Sequence, residues 1–182
     1  AARMQGQIDG LRESLIVPDE HILHLNSKNT YEESHKVISA ILPTITSAQH
    51  IVILGINDEV TMGALAAFTD AGASERVIAI GQGADQTARQ ELQRPGSRMI
   101  GSVTSFPEHY GELIIATTLQ VLQGKQVPPA VYTHHMLVLS EETKQKLDLS
   151  KLAEEMISIR EYDTIPFSRA ERNPSYRRLK TR

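Results

Sequence analysis

The chain has 182 residues, of which 40% are apolar and 23% are charged, and its formal net charge is −3 at pH 7. This length is enough for one domain with a substantial core, and the near-balanced charge gives no field that would favour nucleic acid or an anionic membrane. The lack of cysteine excludes a disulfide framework, thiol catalysis and cysteine-ligated metal, and no apolar run reaches the roughly 18 residues that a membrane span requires.

Hydrophobic periodicity divides the chain into alternating helices and strands. The first helix begins with no cap and no leader pattern, as expected for a segment from the middle of a protein. Pro43 and Gly124 are expected to end the second and the fifth helix. In chain order, we predict a helix at 1–15, a strand at 21–25, a helix at 31–42, a strand at 51–55, a helix at 60–71, a strand at 77–80, a helix at 86–92, a strand at 99–103, a helix at 110–123 and a strand at 131–139.

Strand–helix units that recur every 20 to 30 residues, roughly, predict an α/β fold, a Rossmann-like three-layer parallel sheet with helices on both faces. The strands at 51–55 and 77–80 are expected to be buried on both faces. After this sheet, residues 141–159 have a helical pattern with a break near 148–150, so that 141–182 is expected to be a helical extension with a basic tail. The basic stretch 169–182 either contacts an acidic partner or a membrane, or is a solvated tail.

The rest of the chain is organised around residues 51–71, where a buried strand leads through a short polar turn into a helix. Such a turn lies at the carboxyl edge of a parallel sheet, where ligands bind in open α/β folds. Asn57 and Asp58 therefore have two interpretations. They contact a ligand, or they only cap the helix, since Asn and Asp are preferred there.

The sequence contains no constellation of residues that supports catalysis. Gly81 and Gly83 form an incomplete nucleotide-binding pattern, and no P-loop or Gly-x-Ser-x-Gly sequence occurs. His134 and His135 are adjacent in a predicted strand and would point to opposite faces, so they do not suggest a shared metal. We therefore predict no enzyme, no catalytic residue, no metal site and no cofactor.

Four stretches, in the same order along the chain, resemble a known family. Asn57-Asp-Glu-Val-Thr-Met-Gly-Ala-Leu65 resembles the Asn-Asp-Glu-x-Ala-x-Gly-Ala turn of type I periplasmic sugar-binding proteins, a pattern shared by the ligand-sensing domains of lac-repressor-type regulators. The three other similar stretches are 1–3 with 10–11, 77–83, and 100–111 followed by 124–129.

The resemblance implies two Rossmann-like lobes joined by three crossings, with a sugar held between them. Residues 1–140 resemble the second lobe together with a helix at 110–123 and a strand at 131–139 that return to the first lobe, which this chain would lack. That helix and strand would then lack their usual sheet. Their apolar faces would need another partner, either a second copy of the chain in a homodimer through the 110–139 surface or the 141–182 segment.

The resemblance also implies a ligand site. Sugar hydroxyls would be hydrogen-bonded by Arg3, Asn57 and Asp58. The family often has an aspartate at the position of Gly83, and Gln82, just before it, could take the place of that carboxylate. The remaining predicted ligand-binding residues are Ser105, where the family often has a glutamine or similar group, and Phe106, which could pack on a sugar face. The alternatives are a solvated Arg3, a Gln82 that only serves its turn, and a Phe106 in the core.

The function implied is non-catalytic binding of a small sugar or sugar-like solute, as the solute-binding component of an ABC-type importer. Its partners would be the sugar and a membrane permease, with no nucleic-acid contact by this chain itself, in a periplasmic or extracellular location. The alternative is the effector-sensing domain of a lac-repressor-type regulator, which would be cytoplasmic. An α/β enzyme that uses the Asp58–Glu59 turn is a third and weaker hypothesis.

Overall fold

The computed structural model describes residues 2–130, 133, 135–147 and 156–162. Its helices are α1 (Ala2–Ser14), α2 (Tyr31–Ile41), α3 (Asp58–Asp70), α4 (Gln86–Gln93), α5 (Tyr110–Leu122), α6 (Glu141–Lys146) and α7 (Ile159–Tyr162). Its strands are β1 (Ile51–Leu54), β2 (Val77–Gln82), β3 (Met99–Thr104), β4 (Met136–Leu139) and β5 (Met156–Ser158). Short 3-10 turns lie at Asp19–His21, Leu42–Thr44, Ser74–Arg76 and Pro107–His109.

The five strands form one mostly parallel sheet in the order β1-β2-β3-β4-β5, which confirms the predicted fold class. β1, β2 and β3 are parallel neighbours, whereas β4 runs antiparallel to β3 and parallel to β5. A parallel neighbour of β3 would need a crossover helix packed on the sheet. α5, which follows β3, has no buried residue, so it does not provide such a crossover.

The core lies on the face of the sheet covered by α3, where Phe68 packs against the buried residues of β2 and β3. α2 lies close against α3 because Gly63 has no side chain; a Cβ there would overlap the Tyr31 carbonyl group. On the other face of the sheet, Val52 and its β2 neighbour Ile78 are exposed. The prediction that these two strands are buried on both faces is therefore wrong.

The strand predicted at 21–25 is absent from the described part of the chain. Asp19–His21 is a 3-10 turn, and residues 22–27 have no regular secondary structure. Leu23 is 58% exposed, so burial does not hold this segment against β1. A groove of about 850 Å³ lies between the segment and the outer edge of β1.

The C-terminal part also departs from the prediction. Residues 156–158 form β5 instead of helix, because Ile157 is buried opposite Val138 of β4 and strand pairing there outweighs the helical pattern. Residues 148–155 and the basic stretch 169–182 lie outside the described residues. The strand predicted at 131–139 is present at 136–139, where it pairs with β3 and with β5. β5 belongs to the 141–182 segment, one of the two partners expected for this strand.

α5 is exposed along its length, as expected for the helix at 110–123. Its apolar residues include Ile115, 61% exposed, and Leu122, 77% exposed. A helix that is apolar around its circumference is usually buried, so this surface needs a partner. None of the helices in the described ranges is both long and apolar enough to cross a bilayer.

Candidate functional site

The carboxyl ends of β1, β2 and β3 lie side by side because these strands are parallel neighbours. Asn57 follows β1, Gln82 ends β2 and Ser105 follows β3. The sheet topology thus brings three of the predicted site residues to the edge where open α/β folds bind ligands.

The turn after β1 is shaped by Asn57, which caps α3. Its side-chain oxygen accepts a hydrogen bond from the Val60 N–H at 2.8 Å, and its carbonyl accepts one from the buried hydroxyl of Thr61 at 2.8 Å. Capping uses only the amide oxygen. The Asn57 amide nitrogen has no hydrogen-bond partner among the described residues, so capping and ligand binding do not exclude each other.

Arg3 lies beside this turn. Its guanidinium donates to the Ile56 carbonyl at 2.8 Å, and Gln7, one helical turn later in α1, donates to the Gly55 carbonyl at 3.0 Å. The Gln7 side-chain oxygen is buried and has no hydrogen-bond partner within the described structure. Gln7 was missed from the sequence, although its spacing of four from Arg3 put both residues on one helix face.

The Asp58 carboxylate is buried within the fold. It is 1% exposed, and its carboxylate accepts hydrogen bonds from the Ser102 hydroxyl at 2.6 Å and from the Asp85 N–H at 2.9 Å. The expectation that Asp58 binds a sugar hydroxyl is corrected on this ground, because the carboxylate is turned inward, onto the β2–α4 turn and β3. Burial raises the pKa of Asp58 above 3.8, and the Ser102 and Asp85 hydrogen bonds partly oppose that rise.

Two glycines of β2 and its turn make room for this carboxylate. A Cβ at Gly81 would overlap Asp58 Oδ1, and one at Gly83 would lie 2.9 Å from Oδ2. The same turn is fixed by the Gly83 N–H, which donates to the Val103 carbonyl at 2.7 Å, and by Asp85, which caps α4. Gln82, half-buried, is held at the edge of the sheet by this turn.

The turn after β3 contains the last two predicted site residues. The Ser105 hydroxyl is hydrogen-bonded to the Tyr110 hydroxyl, and Phe106 has a left-handed backbone conformation with φ +53°. The Phe106 side chain belongs to the buried core, which agrees with the core alternative and not with a wall for a sugar ring. Its N–H donates to the Thr104 hydroxyl at 3.0 Å.

The hydroxyl groups that shape these turns, on Thr61, Ser102 and Thr104, are buried polar groups that the sequence pattern did not single out. In the sequence they look like ordinary members of a helix or a strand. A signal existed only in β3, where Ser and Thr alternate within a run expected to be apolar.

The large groove beside β1 is a separate feature. Its lining includes Gly55 and Ile56, but not Arg3, Asn57 or Gln82. Within the described ranges, no group of three or more His, Asp or Glu side chains is placed to hold a metal ion.

This chain is similar to one protein family and to several solved structures. A family model described as a periplasmic binding protein domain matches residues 1–126. No curated protein sequence matches the chain.

Solved structures share the fold at low identity. An ABC transporter periplasmic solute binding protein from Actinobacillus succinogenes, with bound D-allose, is 20% identical with a TM-score of 0.59, over 66% of this chain and 42% of that one. An ABC transporter solute binding protein from Agrobacterium vitis, with bound allitol, is 21% identical with a TM-score of 0.62, over 78% and 49%. A myo-inositol binding protein from Caulobacter, bound to myo-inositol, is 19% identical with a TM-score of 0.61, over 80% and 50%. This chain spans half or less of the length of these neighbours.

Proposed function

The chain belongs to the periplasmic binding protein domain family, and from this premise we propose that it binds a small sugar or sugar-like polyol without catalysing a reaction on it. One observation carries the proposal: polar side chains follow three adjacent parallel strands at one edge of the sheet. The named neighbours hold D-allose, allitol and myo-inositol, which supports this class of ligand.

In the proposed site, Arg3, Asn57 and Gln82 supply hydrogen bonds to sugar hydroxyls, and Ser105 adds a hydroxyl. A sugar hydroxyl both donates and accepts, and an amide side chain matches it because it carries both functions. The unused amide nitrogen of Asn57 is one such donor. Gly83 makes room for the Asp58 carboxylate and so shapes the turn that carries Gln82. Asp58 and Phe106 are buried, so their part in the proposal is to position the turns.

We further propose that residues 1–140, together with β5 and α7, form one lobe of a two-lobe binding protein. The chain spans half or less of its structural neighbours, and its site residues lie at a single sheet edge. The first lobe of the family fold would supply the opposite wall of the cleft. Ligand would then favour a closed arrangement of the lobes over an open one, which is a shift of population.

The biological role that we propose is the solute-binding component of an ABC-type sugar importer, periplasmic or extracellular, with a membrane permease as its partner. The named neighbours are transport proteins, which favours this role over the effector-sensing domain of a lac-repressor-type regulator. The exposed apolar residues of α5 support a homodimer through the helical part of the 110–139 surface, whereas β4 is already paired within the sheet.

The experiment is a ligand screen by thermal unfolding of the full-length protein with D-allose, D-fucose, allitol and myo-inositol, followed by titration calorimetry. A ligand present at 100 times its Kd stabilises the folded state by about 2.7 kcal/mol, which gives a clear rise in Tm. L-glucose at the same concentration is the control for non-specific effects of a polyol. A Tm that no monosaccharide or polyol raises above this control would refute the proposed function.

A further inference from the structure

Two residues with side chains adopt a left-handed backbone conformation at the candidate site. Ala84 has φ +50° and directly follows Gly83, and Phe106 has φ +53° and directly follows Ser105. Residues with a Cβ rarely adopt this conformation, and such strain persists only where the surrounding structure enforces it. The other such residues in the described chain, Lys28 and Asn29, are adjacent to each other in an exposed loop.

Each strained residue has its N–H bound by a hydroxyl group of β3. The Ala84 N–H donates to Ser102 Oγ at 3.0 Å, and the Phe106 N–H donates to Thr104 Oγ1 at 3.0 Å. Both hydroxyl-bearing residues are 0% exposed. Being two positions apart in a strand, Ser102 and Thr104 project from the same face of β3.

Ser102 also connects the turns to each other. While its oxygen accepts from Ala84, its hydroxyl hydrogen is donated to Asp58 Oδ1 at 2.6 Å. The Asp58 carboxylate in turn accepts from the Asp85 N–H. Through Ser102, the start of α3 and the β2–α4 turn are thus held by one buried network.

We propose that Ser102 and Thr104 are positioning residues, whose hydroxyls hold the turns at 82–85 and 104–106 in left-handed conformations that present Gln82 and Ser105 to the ligand. A buried hydroxyl with no partner would be unfavourable in a strand, and a buried N–H left unpaired is equally so. Removing a hydroxyl leaves the amide of a strained residue without its partner. The turn then relaxes toward an ordinary conformation and carries its ligand-facing neighbour with it.

This inference rests on the proposed sugar site, because the presented residues are those of that site. The variants are Ser102→Ala and Thr104→Val. The matched control is Ser97→Ala, at the opposite end of β3, where the Ser97 hydroxyl accepts a hydrogen bond from the Met99 N–H at the same 3.0 Å. It removes an equivalent bond that is remote from the turns.

The first measurement is amide hydrogen exchange followed by NMR, in the full chain and without ligand. We expect Ser102→Ala to accelerate exchange at Ala84, and Thr104→Val to accelerate exchange at Phe106, each at least tenfold beyond any change in the rest of the sheet. Ser97→Ala leaves both amides protected. Exchange at Ala84 and Phe106 that is no faster than in the control variant overturns the inference.

The second measurement is affinity for whichever of D-allose, D-fucose, allitol or myo-inositol the unmodified protein binds, for which we expect about a tenfold loss in Ser102→Ala and little change in Ser97→Ala. Adding Ala84→Gly to Ser102→Ala should restore part of the affinity, because glycine adopts a positive φ without strain. This rescue separates positioning from general destabilisation.

If Ser102→Ala does not fold, the test is made at Thr104: Thr104→Ser, which keeps the hydroxyl, is expected to preserve the protection of Phe106 that Thr104→Val loses, and equal exchange at Phe106 in the two variants overturns the inference. If the unmodified protein binds no sugar, the proposed function fails. The exchange rates of the Ala84 and Phe106 amides then still test whether the two hydroxyls hold the turns.

Discussion

The Asp58 carboxylate accepts a hydrogen bond of 2.6 Å from the Ser102 hydroxyl, and both side chains are buried. Asp58 follows β1 and Ser102 lies on β3, so the two side chains meet across β2. They can do so only because Gly81 of β2 has no side chain at the point of contact. The three neighbouring strand ends are therefore fixed relative to one another by one buried polar contact.

The first prediction concerns the pH dependence of this contact. Because burial raises the pKa of Asp58 above 3.8, the folded protein binds this proton more tightly than the unfolded chain does. The stability that Asp58 contributes is then fully present below pH 3.8 and is lost as pH rises through its folded pKa, the reverse of the usual behaviour of a carboxylate.

Urea unfolding of the unmodified protein and of Asp58→Asn, from pH 3 to pH 7, measures this effect. This pH range begins roughly one unit below the pKa of an aspartate in the unfolded chain and ends well above it. The amide that replaces the carboxylate in this variant does not titrate, so the free energy of unfolding of the unmodified protein, minus that of the variant, should decrease as pH rises above 3.8. A difference that stays constant or increases with pH would contradict the assignment of burial as the dominant cause.

The sequence predicts those parts of the fold that depend on local periodicity. α2, α3 and β1 follow directly from apolar spacing and from the residues that start and stop them. Residues 21–25 and 156–158 fail because whether a short apolar run pairs as a strand depends on what lies beside it, and that neighbour is distant in the chain.

The candidate site is divided in the same way. Asn57 could be found from the sequence, because a polar residue between a buried strand and a helix has a local signature. The inward orientation of Asp58 could not, since it depends on Ser102, 44 residues away in the chain. The same holds for Phe106, because no local pattern in the sequence indicates its left-handed backbone or its buried side chain.

The second prediction concerns Gly81. Its replacement by alanine would drive a methyl group into Asp58 Oδ1 and the Met99 side chain. We expect Gly81→Ala to lower the free energy of unfolding by about 1–3 kcal/mol, the range for overpacking a buried site. The control is Gly10→Ala in α1, where a Cβ meets no atom within 4 Å and alanine should stabilise the helix by about 0.5–1 kcal/mol. Chemical denaturation of both variants tests the contrast, and an equal effect at the two positions would show that Asp58 is free to move away.

The third prediction separates the two interpretations of Asn57. Asn57→Ala removes the cap of α3 and should cost about 1 kcal/mol of stability. Asn57→Asp keeps the side-chain oxygen that accepts from Val60 but replaces the free amide nitrogen with an acceptor. If Asn57 donates to a sugar, Asn57→Asp should keep its stability and lose about tenfold in affinity, equivalent to ~1.4 kcal/mol.

Unfolding experiments and titration calorimetry of the two Asn57 variants give both quantities. If Asn57→Asp binds sugar as tightly as the unmodified protein, Asn57 only caps α3 and does not donate a hydrogen bond to the ligand. The ligand site would then have to rest on Arg3, Gln82 and Ser105.

The last prediction concerns the apolar surface of α5. If this surface forms the proposed homodimer, a charge placed at its most exposed position should oppose association, because burying an unpaired carboxylate is costly. We expect Leu122→Glu to raise the dimer dissociation constant at least tenfold, measured by sedimentation equilibrium. Gln90→Glu is the control, since it adds the same charge at an exposed polar position of α4, outside residues 110–139. If the unmodified chain sediments as a monomer at all concentrations, the homodimer is refuted, and α5 must have a different partner, such as the first lobe.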